Sequence, residues 1–175
     1  YGARIHAARF HALAPPGTIL VRPGVFMAYG DWFTIELAGP GGHASQPHLV
    51  GNPVETAGEI TLRLRDCVAE VGRGEAVVAT VTESRSGNTV NVIPAEGRLR
   101  GTLRTLTPQT RTALIGAMHT LVADVAEQHR LTGRLTIHEG YPAVVNDAGF
   151  INRISTHLGQ TELADQVTPM PDPSM

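Results

Sequence analysis

Residues 31–37, Asp-Trp-Phe-Thr-Ile-Glu-Leu, alternate, with Phe33, Ile35 and Leu37 on one side and Thr34 and Glu36 on the other. A period of two is that of a half-buried strand. Past a glycine-rich stretch the period lengthens. Val54, Ala57, Ile60, Leu64, Cys67 or Val68, and Val71 recur every three to four residues, the single apolar stripe of an amphipathic helix. Its start is punctuated: Asn52 can cap, Pro53 suits the first helical position and Glu55 is third. Gly-Arg-Gly at 72–74 ends it. "EAVVATVTES" returns to β-branched alternation, and "RSGN" turns the chain. "TVNVIP" and "EGRLRGTLRT" then form a second strand region, interrupted near Pro94. There Leu99, Gly101 and Leu103 face one way, and Arg98, Arg100, Thr102 and Arg104 the other. Thr107-Pro108 opens a second helix by the same cap-plus-proline logic, with Leu114, Met118, Leu121, Val122 and Val125 as its stripe. Gly133 lies beyond its end, and "RLTIHE" reads as a last strand with Leu135 and Ile137 inward.

The order from 31 to 140 is β-α-β-β-α-β. It predicts an α+β, ferredoxin-like fold: a four-stranded antiparallel sheet with two helices on one face. Residues 1–30 are irregular around a short "TILV" strand. After 142, Asn146-Asp147 cap another helix, carrying Phe150, Ile151, Ile154 and Leu158 and stopped by Gly159. That helix has no visible partner in the ferredoxin-like unit. The expected division is therefore 1–30, a 31–142 domain, and 143–175. The outer pieces read as parts of a second body, and the chain as a piece of a longer protein.

Composition narrows the classes. The chain is 42% hydrophobic and 17% charged, with a formal charge of −2, which fits a globular protein with no wholesale attraction to nucleic acid or an anionic membrane. No apolar run approaches the roughly 20 residues of a membrane span. A cytoplasmic setting is expected, with neither nucleic acid nor membrane as partner. Cys67 is the single cysteine, so an internal disulfide and a Cys-rich zinc framework are both excluded. Its position on the helical stripe makes it a core residue.

Candidate chemistry concentrates in "GPGGHASQPH", residues 39–48. A phosphate cradle needs successive backbone N–H groups running into a helix. Pro40 removes one of them, and the helix starts only near Pro53. A metal site made by this loop alone lacks ligands, since His43 and His48 are five apart with no carboxylate between them. Two readings remain open. Glycines at 39, 41 and 42 let the backbone turn tightly and offer the His43 imidazole to a substrate, or His43 is simply solvated on a surface turn. Arg104, on the exposed face of its strand, is open between ligand and solvated charge. Asn91 could be a turn residue, and Asn88 reads as turn chemistry.

"GPGGHASQPHLVGNPVETA", "SGNTVNVIPAEGRLRGTLRT" and "EGYPAVVND" together resemble the zinc amidohydrolases: aminoacylases, hippurate hydrolases and indoleacetyl-amino-acid hydrolases. More broadly they resemble dinuclear zinc exopeptidases with an inserted dimerisation domain, over most of 17–147. The resemblance implies a lid and dimerisation domain that joins two subunits and lends side chains to the partner's active site. It implies that His43 and Asn91 bind and polarise the scissile carbonyl and that Arg104 holds a substrate carboxylate. It implies two zinc ions in the other domain, with His6 or His11 competing for one ligand position, neither at the usual spacing to Gly17. The other ligands and the general base are not in this sequence, so the chain alone is expected to be inactive. The implied partners are a second copy, the remainder of its own catalytic domain, and a small N-acyl amino acid or related amide. The rival readings are a dimerisation domain with no catalytic role, paired through "AVVATVTES" or the first helix, and a small-molecule regulatory module. An RNA-binding use needs sheet-face aromatics, and "RLRGTLRT" has none.

Overall fold

The alternations and caps fold as their periods require. The computed structural model describes residues 14–175. In chain order the elements are β1 (Ile19–Val21), β2 (Gly24–Met27), β3 (Tyr29–Ala38), β4 (Gly42–His43), α1 (Pro53–Val71), β5 (Val78–Ser86), β6 (Val92–Ile93) and β7 (Glu96–Thr105). They continue with α2 (Pro108–Gln128), β8 (Thr132–Tyr141), β9 (Val144–Asn146), α3 (Ala148–Leu158) and β10 (Val167–Pro169). The chain divides into two units, one of Ala28–Ala143 and the other of 14–27 with Val144–Ser174.

In the first unit the sheet order is β5-β7-β3-β8, every pair antiparallel. This is the ferredoxin-like order, with both central strands flanked by edges reached through helices. Phe33, Ile35, Leu37, Leu99, Leu103 and Leu135 point to one face and pack on Ala57, Ile60 and Leu64 of α1 and Leu114, Met118, Val122 and Val125 of α2. The opposite face carries Trp32, Glu36, Arg98 and Arg100, all exposed. It is uncovered among the described residues. Asn52 caps α1 by accepting the Val54 N–H at 3.1 Å. Thr107 caps α2 by accepting the Thr110 N–H at 3.2 Å. Caps of this kind satisfy otherwise orphaned donors.

Four local expectations change. Val54 is exposed rather than on the stripe, because Thr56 takes the buried position beside Ala57. The second strand starts at Val78, since Glu75 turns its carboxylate to the hydroxyls of Thr107, at 3.2 Å, and Thr110. "TVNVIP" leaves the main sheet, and its Val92–Ile93 segment pairs with β4 instead. Ile137 and Cys67 are only half-buried and pack against the edge of the core.

In the second unit β1 pairs with β10 in parallel and β2 with β9 in antiparallel fashion. Arg22 ties them through its guanidinium, which donates to Val25 O at 2.8 Å and Met170 O at 2.9 Å. Asp147 caps α3, accepting the Phe150 N–H at 2.7 Å. No residue of α3 is buried, and Phe150 is 53% exposed.

Candidate functional site

The glycine loop is a strand ribbon. β3 and β7 continue past the sheet: Gly39 N–H donates to Ala95 O at 2.8 Å, Gly42 pairs with Ile93, His43 with Val92, and Ala44 N–H donates to Asn91 O at 3.0 Å. Gly41, at φ +64°, makes the irregular step between the two ladders. Few non-glycine residues adopt that conformation, and a side chain there would meet Ile93 O at 3.1 Å. The ribbon thus carries His43 and Asn91 on adjoining strands, both exposed.

The imidazole has a defined tautomer. Ser45 N–H donates to His43 Nδ1 at 3.1 Å, and the Ser45 hydroxyl lies 2.8 Å from the same atom. A backbone N–H can only donate, so Nδ1 is the acceptor and the neutral ring carries its proton on Nε2. That N–H is displayed outward as a hydrogen-bond donor. Asn91 Oδ1 accepts from Thr89 Oγ1 at 3.1 Å, leaving its Nδ2 hydrogens as donors. The far side of the loop is held by Arg130, whose guanidinium donates to His48 O at 2.9 Å and Val50 O at 3.3 Å. Arg130 itself sits just past α2 at φ 58°, the left-handed position that ends helices. Ser45 has a readable signal, a hydroxyl two residues after the histidine. Arg130 has none, because its contact spans more than 80 residues of sequence.

Arg104 lies elsewhere. It stands near the opposite end of β7, half-buried on the uncovered face. Its Nη1 donates to Thr102 Oγ1 at 2.5 Å and Leu103 O at 2.7 Å, with Asp31 O at 3.4 Å, and the guanidinium sits over the Tyr141 ring at 5.9 Å. Nε and Nη2 make no hydrogen bond among the described residues. Behind this end of the sheet, Asp31 is 3% exposed. It accepts from Arg111 Nε at 2.7 Å and Nη2 at 3.3 Å, and from the Gly140 N–H at 3.1 Å. The Asp31 hydrogen bond is the main reason the Arg111 guanidinium is pushed still higher in pKa, with Glu139 adding to it. On the helix side, the His129 hydrogen bond, then that of Arg63, hold Glu59 below the usual carboxylate range.

The implied metal does not fit the described residues. Among them no group of three or more His, Cys, Asp or Glu side chains is placed to hold an ion. His6 and His11 lie outside the described residues.

Residues 30–130 match the M20 peptidase dimerisation domain. This chain belongs to that family. The dimerisation domain and its flanks are similar to N-acetylcysteine deacetylase of Bacillus subtilis, 32% identical over 87% of this chain and 41% of the relative. They are similar also to N-acetyldiaminopimelate deacetylase of Bacillus licheniformis, 29% identical over 87% and 41%. The crystal structure of the Bacillus subtilis YXEP protein, described as a dinuclear metal binding peptidase from the M20 family, superposes with TM-score 0.69. It is 25% identical, over 91% of this chain and 39% of that one. The chain thus spans about two fifths of the length of these relatives.

Proposed function

We propose that this chain is the lid and dimerisation part of an M20 amidohydrolase that cleaves N-acyl amino acids or related small amides. In this reading, 14–27 and 144–174 belong to the catalytic domain. The amide carbonyl becomes an oxyanion in hydrolysis, and fixed donors aimed at it lower the barrier. His43 Nε2–H and the Asn91 amide are such donors, and Arg104 offers the planar fork that suits a carboxylate.

The observation that carries the proposal is the ribbon: it sets His43 beside Asn91, with Nδ1 occupied by Ser45 so that the ring must donate through Nε2. A merely solvated histidine needs no such arrangement.

The twin is expected along the β5 edge and α1. β5 is an edge strand. α1 carries the exposed apolar residues Val54 and Leu62, whereas α2 exposes no large hydrophobic side chain. Gly58, exposed near the start of α1, leaves open space around its backbone. Antiparallel pairing of two β5 strands would extend the sheet across the dimer.

The test is His43→Ala in the full-length enzyme. Losing one oxyanion donor is expected to lower kcat by about 10²–10³-fold, with dimer and metal content unchanged. Undiminished turnover would leave a dimerisation domain without a catalytic role.

A further inference from the structure

Arg104, Gly30 and Tyr141 form one row across three strands, since Gly30 pairs with Arg104 on one side and with Tyr141 on the other. Side chains two strands apart stand roughly 10 Å apart at their backbones. Arg104 and Tyr141 nevertheless meet, because the position between them has no side chain. A Cβ at Gly30 would lie 2.4 Å from Tyr141 Cζ. The ring therefore lies over the Gly30 backbone and under the guanidinium.

Tyr141 is on this face only because β8 is bulged. Trp32 pairs with His138 and Gly30 with Tyr141, so the single residue Asp31 of β3 faces two of β8, Glu139 and Gly140. In a regular ladder Gly140 would oppose Gly30 and Tyr141 would point toward the helices, since a shift of one residue reverses the face. Bulges re-aim side chains in this way. The bulge is built in. Gly140 N–H is taken by the buried Asp31 carboxylate, itself held by Arg111. Gly140 also fits only as glycine, because a Cβ there would lie 1.9 Å from Gly30 O.

We propose that Tyr141 is a positioning residue for substrate recognition. Its ring, delivered by the Gly140 bulge, holds the Arg104 guanidinium in one plane, so that Nε and Nη2 face an incoming carboxylate. The bulge thereby sets the preference for a free α-carboxylate over an uncharged end. This rests on reading Arg104 as the carboxylate-binding group.

The test uses the full-length enzyme with the N-acetyl amino acid it turns over fastest, and the carboxamide of that compound as competitor. Tyr141→Leu is expected to raise KM for the acid roughly 3–10-fold, with kcat and carboxamide affinity kept. Tyr141→Phe, which keeps the ring, should stay closer to the wild type than Tyr141→Leu does. Gly30→Ala, which pushes the ring aside, should match Tyr141→Leu. In the chain itself, the ¹⁵N order parameter of the Arg104 Nε–H should fall in Tyr141→Leu and hold in Tyr141→Phe. Equal losses for acid and carboxamide, or Tyr141→Phe behaving as Tyr141→Leu, would overturn the proposal. If Arg104→Ala raises KM for the acid and Tyr141→Leu does not, only the Tyr141 inference fails. If Arg104→Ala leaves that KM unchanged, or no N-acetyl amino acid is turned over, the underlying reading fails.

Discussion

Full-length subunits carrying His43→Ala and subunits carrying Arg104→Ala, each crippled alone, are expected to restore one another in a mixed dimer. The reason is distance. β7 runs unbroken from Glu96 to Thr105, and the ribbon bearing His43 and Asn91 begins beyond Glu96. At about 3.3 Å per residue, the eight steps from Glu96 to Arg104 span roughly 26 Å. An N-acyl amino acid, two chain units long, reaches only about 7 Å. On the proposed reading, one subunit therefore cannot apply both His43 and Arg104 to one substrate.

Antiparallel pairing of two β5 strands would resolve this. Val78 marks the Arg104 end of β5 and Ser86 the ribbon end. The two-fold axis of such a pair sets the Ser86 end of one subunit beside the Val78 end of the other. Counting β7 to β5, across the new pair, and on to the second β7, the lateral gap is three strand spacings, about 14 Å between backbones. Two long side chains close much of it. Each active site would then take His43 and Asn91 from one subunit and Arg104 from the other. In a mixed dimer one site bears both lesions and the other neither. Purified through two different tags, the mixed dimer should run at about half the wild-type rate, and an unsorted equal mixture after exchange at about a quarter. The assay is initial rate of N-acetyl amino acid hydrolysis. A purified mixed dimer no faster than either parent would refute the crossed arrangement.

Two further outcomes test the scaffold. Gly101, in the middle of β7, opposes Phe33, and a Cβ there would sit 2.3 Å from Phe33 Cζ and 2.1 Å from Thr80 O. Gly101→Ala should destabilise the domain by about 1–3 kcal/mol, read as a lower urea midpoint in the fluorescence of Trp32, the single tryptophan; an unshifted midpoint would contradict the packing argument. Glu59 is held below its ordinary pKa of 4.5 by His129 and Arg63, so its stabilisation is present above that value and is lost as pH falls through the lowered folded pKa. Glu59→Gln should flatten the fall of Tm between roughly pH 5 and 3, and an unchanged slope would show that the pair contributes nothing.

The elements whose evidence is local were legible in the sequence. Asn52-Pro53 and Thr107-Pro108 announced both helices because caps and first-turn prolines act on neighbours. The strand periods likewise assigned the faces of β3 and β7, and with them the side of the sheet on which Arg104 stands. His43 and Asn91 were legible as types within motifs, but their adjacency was not. The motif text shows a loop and a strand, whereas the ribbon depends on Gly42 finding Ile93 some fifty residues on.

The bulge at Tyr141 shows why the rest stayed hidden. Read by period alone, "RLTIHEGY" places His138 and Gly140 on one face and Tyr141 on the other. The added step comes from a carboxylate on β3 that accepts a bulge N–H on β8, because an arginine of α2 fixes its charge there. None of those three residues is a neighbour of the other two in sequence. Nor does any carry a signature by itself, since Asp31 at a strand start and Arg111 in a first helical turn are unremarkable residues. Buried charge is nonetheless the informative sign. An Asp 3% exposed inside an apolar sandwich is tolerated only where every oxygen is answered. Here part of the answer is the backbone of the strand that aims Tyr141. The least hydrophobic residue of the core thus sits where the fold departs from its own period, at the end of the sheet that presents Arg104.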